Sequence, residues 1–234
     1  MAKNNIKNRV IIPASSIHFL KSLKNNNNRD WFNSNKDRFL EAQHSIELFA
    51  DALLATLNTH DMIETPSGKK SLHRIYRDTR FSNNKIPYKI NWSGSFTRAT
   101  KLRRGSYYFH IQPGNSFIAG GFWGPGPQDL KRIRDDIAFD DAPLRKIIKS
   151  KLFVSHFGTL LGEQLKTTPK GFNAADKAID LLRYKQFLVR RNFTDKEVLS
   201  ENFLEEASLT FTYMRPFFNY MSEVLSADVN GIIA

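Results

Sequence analysis

The sequence predicts an α+β fold: a central antiparallel sheet with flanking N-terminal and C-terminal helices. Three observations carry that prediction. Apolar residues recur at helical spacing before residue 60 and again after residue 195. Between about 90 and 122 the period shortens to two, with Gly and Pro turns between the runs. Connections that short join antiparallel neighbours, because parallel strands need a crossover of about a dozen residues or more. The chain has 234 residues, 41% apolar and 25% charged, which suits one domain with a full core. The expected division is a flexible tip at 1–15, a single α+β domain at 16–226 and a tail at 227–234.

Residues 16–24 read as a short helix capped by Ser15 or Ser16, with Ile17, Leu20 and Leu23 on one side. Asn25 to Asn28 form a polar break. A long helix is expected from Asp30, as its cap, to Asn58. Phe32, Phe39, Ala42, Ile46, Phe49, Leu53 and Leu57 form its apolar stripe. Pro66-Ser67-Gly68 closes that section. Residues 73–81 alternate without a breaker and read as a strand. Further strands fit about 90–98, 106–112 and 116–122, with Arg104-Gly105 and Pro113-Gly114 as turns. The run from Gly120 to Pro127 ends the sheet. Helices resume at about 128–138, and Asp140-Asp141-Ala142-Pro143 opens another. Residues 163–172 read as a strand or an extended loop, 173–184 as a helix, and 185–193 as a strand. Thr194 and Glu197 have capping-box spacing. The last long helix runs from Phe203 to Leu225, and Pro216 is expected to kink or divide it.

Composition excludes several chemistries. There is no cysteine, so disulfides, thiolate catalysis, iron–sulfur clusters and Cys-based zinc sites are out. No stretch reaches the roughly 18–20 apolar residues of a membrane span. The basic start is followed only by Val10-Ile11-Ile12 before Pro13, short of a signal peptide's apolar region. The expectation is a cytoplasmic protein with no membrane partner. The formal charge is +12. Much of it falls in residues 69–104, where Lys69, Lys70, Arg74, Arg77, Arg80, Lys85, Lys89, Arg98, Lys101, Arg103 and Arg104 face Asp78 alone. That excess points to an anionic partner, or else to a solvated basic face.

The densest polar pattern lies at 73–92. On a strand, Arg74, Tyr76, Asp78 and Arg80 would share a face. Asp78 would orient two guanidinium groups whose remaining donors meet an anion. Ser82 follows in a turn, and Lys85, Tyr88 and Lys89 return more polar groups. The candidate ligand site is therefore Arg74, Asp78, Arg80, Ser82, Lys85, Tyr88 and Lys89. The alternative is a structural ion-pair network.

The run Tyr76-Arg77-Asp78-Thr79-Arg80-Phe81-Ser82, then Lys85, Pro87, Tyr88 and Lys89, resembles the signature of domain-of-unknown-function family 2461, a mostly bacterial family. Asn28-Arg29-Asp30-Trp31-Phe32, the Gly120 to Pro125 stretch before Arg134, Leu165 to Phe172 and Leu182-Arg183 with Lys185 agree in order. The resemblance covers about 17–222. It implies one domain of shared fold and brings no reaction, substrate or catalytic residue. Ile90-Asn91-Trp92 departs from the small polar residue frequent after that lysine.

Other constellations are weaker. His18, His44, His60, His73, His110 and His156 have no metal-ligand spacing, although His73 and His110 could meet across strands. Asp135, Asp136, Asp140 and Asp141 could hold Mg²⁺, but Lys131 and Arg132 sit four residues before the first two. The loop before residue 128 could cradle an anion, or simply turn. Lys170 could join such a pocket. Tyr107, Tyr108 and Phe109 beside Arg103 and Arg104 could stack bases, but otherwise belong to the core. The leading reading is a domain binding a small anionic or phosphorylated ligand over its sheet. The second is nucleic-acid binding through 69–104, and the third a protein-interaction domain. The cofactor, enzyme activity and oligomeric state stay open.

Overall fold

A computed structural model describes residues 10–100 and 102–226. Expectations for 1–9 and 227–234 lie outside the described residues. Helix α1 spans Ala14–Asn25 and buries Ile17, Phe19, Leu20 and Leu23. Pro13, in extended backbone, occupies the cap position expected of Ser15 or Ser16, and Ser16 is buried. The predicted long helix is two: α2 at Arg29–Ser34 and α3 at Lys36–Leu57. Asn28 rather than Asp30 caps α2, its side chain accepting from the Trp31 N–H at 2.9 Å. Asn35 breaks the run and donates to the Trp31 carbonyl at 2.9 Å, a local bond that competes with helix continuation. The apolar stripe itself is as expected, with Phe32, Phe39, Ala42, Ile46, Phe49, Leu53 and Leu57 all buried. Ser67 caps the short α4, Gly68–Ser71.

The strand expected at 73–81 does not form. That segment is an irregular loop closed on its return limb by a Tyr76–Tyr88 bridge and two backbone bonds, Arg77 N to Pro87 O and Lys89 N to Ile75 O. Pro87 has no N–H for a longer ladder. Tyr88 is buried, stacked on Phe32 at 4.1 Å, and the Asn27 side chain satisfies both its N–H and its C=O.

The sheet consists of β1 (Trp92–Thr97), β2 (Ser106–Ile111), β3 (Ser116–Phe122) and β4 (Phe187–Phe193), in that spatial order and antiparallel throughout. Between β3 and β4 come α5 (Pro127–Phe139), α6 (Ala142–Ile148), α7 (Lys151–Phe157) and α8 (Ile179–Leu182). The sequence reading contained no α7; Ser150 caps it. The helix expected at 173–184 shrinks to α8. Asn173 and Asp176 turn the chain instead, their side chains accepting from the N–H groups of Ala175 and Ala178. Residues 163–172 are loop with one bridge, Gln164 to Tyr184. The Thr194–Glu197 capping box opens α9, Asp195–Val198. Helix α10, Phe203–Ser226, runs on with Pro216 inside it undivided.

Helices α3 and α10 cover one face of the sheet. Tyr107, Phe109 and Ile111 of β2 point there, with Ile118 of β3 and Phe187 and Val189 of β4. Gly121 fixes the β3–β4 contact. Its φ is 133°, and a Cβ there would stand 2.2 Å from the Phe187 carbonyl oxygen. Gly121→Ala should lower stability by about 2–4 kcal/mol, the sum of backbone strain and overpacking. Urea unfolding checks this; an unchanged midpoint would mean that β4 is not held this closely.

Candidate functional site

Alternation sends every second strand residue to the face that α3 and α10 leave open. Two rows cross that face in register. One is Ser95–Tyr108–Ala119–Arg190; the other is Ser93–His110–Phe117–Asn192. The small Ala119 leaves a hollow between Tyr108 and Arg190. His73 and Ser95 wall it at one side, Leu161 and Leu188 at the other, and Trp123, 73% exposed, stands at its rim. The cavity measures about 580 Å³, within the usual range for small-ligand sites.

Its polar groups are ordered. Arg190 lies 3.8 Å over the Phe117 ring, and His110 stacks on the same ring at 4.6 Å. Arg190 donates to Asn192 at 2.6 Å and to Asn115 at 3.1 Å. Among the described residues no carboxylate pairs with it. Burial lowers its pKa, as it must for a cation without an anion. Ser95 Oγ lies 2.9 Å from His73 Nε2, and Ser93 Oγ lies 3.3 Å from His73 Nδ1. Tyr108 Oη lies 3.0 Å from His110 Nδ1, and His110 Nε2 lies 3.1 Å from the Gln112 side-chain oxygen. Loss of solvent lowers both histidines, helped by the charge of Lys89 at His73. At His110 the bond to Gln112 opposes the fall and the charge of Arg190 adds to it. Both shifts favour the neutral ring. The histidines thus converge on Tyr108, at ring distances of 5.8 and 6.1 Å, rather than on a metal. Among the described residues no three His, Asp or Glu side chains gather as a metal would need.

The residues singled out at 73–92 separate. Arg80 grips Asp78 with two bonds of 3.0 and 2.7 Å, but the pair is solvent-exposed on the loop. Arg74 adds only its charge to Asp78, so the carboxylate does not hold both arginines. Lys85 Nζ donates to the Thr79 carbonyl and Ser82 Oγ accepts from the Asn84 N–H, both closing the same loop. Tyr88 belongs to the core. The charge of Lys89 depresses the pKa of His73, and burial and then the Arg74 charge lower Lys89 in turn.

The local charge excess is also smaller in space than in sequence. Arg98 and Arg103 both bind Asp61, at 2.7 and 2.9 Å, and Arg104 pairs with Asp129. Asp61 is fully buried and also accepts from Tyr107 at 2.7 Å. Of the acidic cluster, Asp135 pairs with Lys131 as its spacing suggests. Arg132 instead donates to the Leu225 carbonyl, and Asp136 takes the Tyr220 hydroxyl. Gly120 and Gly121 belong to β3, not to an anion loop, and Lys170 is exposed. The sequence singled out His73 and His110 only as histidines that could meet across strands and Tyr108 only as a base-stacking or core residue, and it named neither Ser95 nor Arg190. The alternation of β4 between buried Phe187 and Val189 and half-buried Leu188 and Arg190 was the available signal.

Helices on one face of an antiparallel sheet and a ligand-sized hollow on the other place the chain among single-sheet α+β proteins. More particularly, it belongs to the DUF2461 family, described as conserved hypothetical proteins, whose model matches residues 15–220. No curated protein and no solved structure matches it. Among the described residues no helix is long and apolar enough to cross a membrane.

Proposed function

We propose that this protein binds a small, elongated anionic ligand in the hollow of the open sheet face. The observation that carries the reading is Arg190: a guanidinium in a mostly apolar cavity, without a carboxylate partner among the described residues. A cation so placed is stabilised by an incoming anion. Phe117, Ala119 and Leu188 supply apolar surface for the rest of the ligand. Lys89 and Arg74, from the segment that the sequence singled out, add positive potential at the His73 side. Asp78, Arg80, Ser82 and Lys85 order the adjoining loop and are not part of the proposed contact.

Thermal unfolding with a panel of phosphorylated and carboxylated metabolites tests this. A ligand at a hundred times its Kd adds about 2.7 kcal/mol of stability, which for a chain of this size is a rise of about 5–10 °C in Tm. The rise should vanish in Arg190→Met and persist in Arg80→Lys. Loss of the shift in Arg80→Lys alone would return the site to the exposed loop.

A further inference from the structure

The polar groups on the open sheet face form two hydrogen-bonded sets, Tyr108–His110–Gln112 and Ser93–His73–Ser95. The first ends at Gln112, whose side-chain oxygen can only accept, so His110 Nε2 carries a proton and donates to it. His110 Nδ1 is then an acceptor and takes the proton of Tyr108 Oη. In the second set His73 Nδ1 lies 3.3 Å from Ser93 Oγ and His73 Nε2 lies 2.9 Å from Ser95 Oγ. In the tautomer that donates from Nδ1 to Ser93, Nε2 is bare and can take the Ser95 proton, and both Ser95 and His73 line the cavity.

We propose that Ser95 is a nucleophile and His73 its general base, in an acyl-transfer site for small anionic esters. The proposal rests on the anion-binding reading above for its substrate class. Ser95 and Arg190 stand at opposite ends of one cross-strand row. Three strand spacings separate them, about 14 Å between Cα atoms. The substrate is thus an ester whose anionic group meets Arg190 while its carbonyl meets Ser95 across the hollow over Ala119. Ser95 Oγ attacks the carbonyl carbon as its proton passes to His73 Nε2. Collapse breaks the bond to the leaving alcohol, which takes that proton back. Water then attacks the acyl-serine with the same base, releasing the acid and restoring the hydroxyl. Neither an oxidant nor a metal is needed for the balance.

The test uses the full chain with two esters, p-nitrophenyl acetate and the p-nitrophenyl monoester of succinate, and a fluorophosphonate that labels activated serines. Wild type should release nitrophenol and gain one phosphonate, mapped to Ser95. Ser95→Ala should lose the label and at least about a hundredfold in kcat/KM, the lower range for a positioned base and its partner. His73→Gln should match it, since glutamine cannot take the proton. Arg190→Met should raise KM for the succinate ester alone. The acid limb of the kcat/KM profile should fall below the ordinary histidine value near 6.5. The Lys89 charge acts on His73 and the Arg74 charge on Lys89, and Tyr108, His110 and Arg190 share the cavity. An unlabelled wild type, or Ser95→Ala turning over at the wild-type rate, overturns the proposal. If Ser95→Ala still shows the metabolite-induced thermal shift, the binding reading stands while the catalytic one falls. If wild type shows no shift with any anion, the binding reading falls on its own terms.

Discussion

Asp61→Ala should cost about 3–5 kcal/mol of stability, the usual penalty for leaving one partner of a buried ion pair behind. Asp61 has no exposed side-chain surface, and Arg98 beside it is 2% exposed. Asp61 follows α3, Arg98 follows β1, and Tyr107 sits within β2. The guanidinium also donates to Ser222 Oγ at 3.1 Å and to Asn219 Oδ1 at 3.0 Å on α10. One carboxylate therefore joins the helix layer to the sheet edge. Its removal strands the Arg98 charge, frees Arg103 and leaves the Tyr107 hydroxyl unbonded. Asp61→Ala with Arg98→Met should lose less than Asp61→Ala alone, because the unpaired charge goes too. Urea unfolding at pH 7 measures both. Equal losses would mean that Arg98 finds water or another anion when Asp61 is gone.

The same carboxylate gives a pH dependence. Burial pushes the Asp61 carboxyl up, but hydrogen bonds from Tyr107, Arg98 and the Met62 N–H outweigh it and bring it below its ordinary 3.8. A group depressed on folding contributes fully above its unfolded value and loses that contribution as pH falls through the folded one. This part of the stability is therefore intact at pH 5 and declines below about pH 4. Melting temperatures of wild type should fall more steeply there than those of Asp61→Ala.

The long helices were legible because their signal is long: on α3, six apolar residues at helical spacing from Phe39 to Leu57 leave little choice of face. Strands β1 to β3 were legible because Gly105 and Gly114, both at positive φ, punctuate them. The segment at 73–81 misled for a physical reason. Alternation shows which residues can share a face and says nothing about a partner, and here the returning chain brings Pro87 and a tyrosine already bonded to Asn27. The charge excess misled in the same manner. Asp61 and Asp129 lie outside residues 69–104, so a local count could not see that they neutralise Arg98, Arg103 and Arg104. Arg190 and Ser95 were hidden because their significance is register, three strand pairings apart in the sheet and about ninety-five positions apart in the chain. Sequence spacing carries the face of a residue but not its row.

Phe49→Ala should cost about 3–5 kcal/mol, as for large aromatic truncations in a closed core. Phe49 is fully buried in the middle of α3. Its ring stacks on Phe203, the first residue of α10, at 5.3 Å and 13°, and meets Phe109 of β2 edge-on at 5.7 Å. One side chain thus touches both long helices and the central sheet. Collapse around the void is resisted from three sides, since α3, α10 and β2 would have to move together to fill it. Leu48, the preceding residue, is half-exposed and supplies the control. Leu48→Ala should change stability by about 0.5 kcal/mol or less. Phe203→Ala should also destabilise, and the double variant should fall short of the two losses combined by about 0.5–1.5 kcal/mol, the worth of a stacked pair. Urea unfolding of the four proteins decides it. A Phe49→Ala loss no larger than that of Leu48→Ala would mean that α3 turns a different face to the sheet.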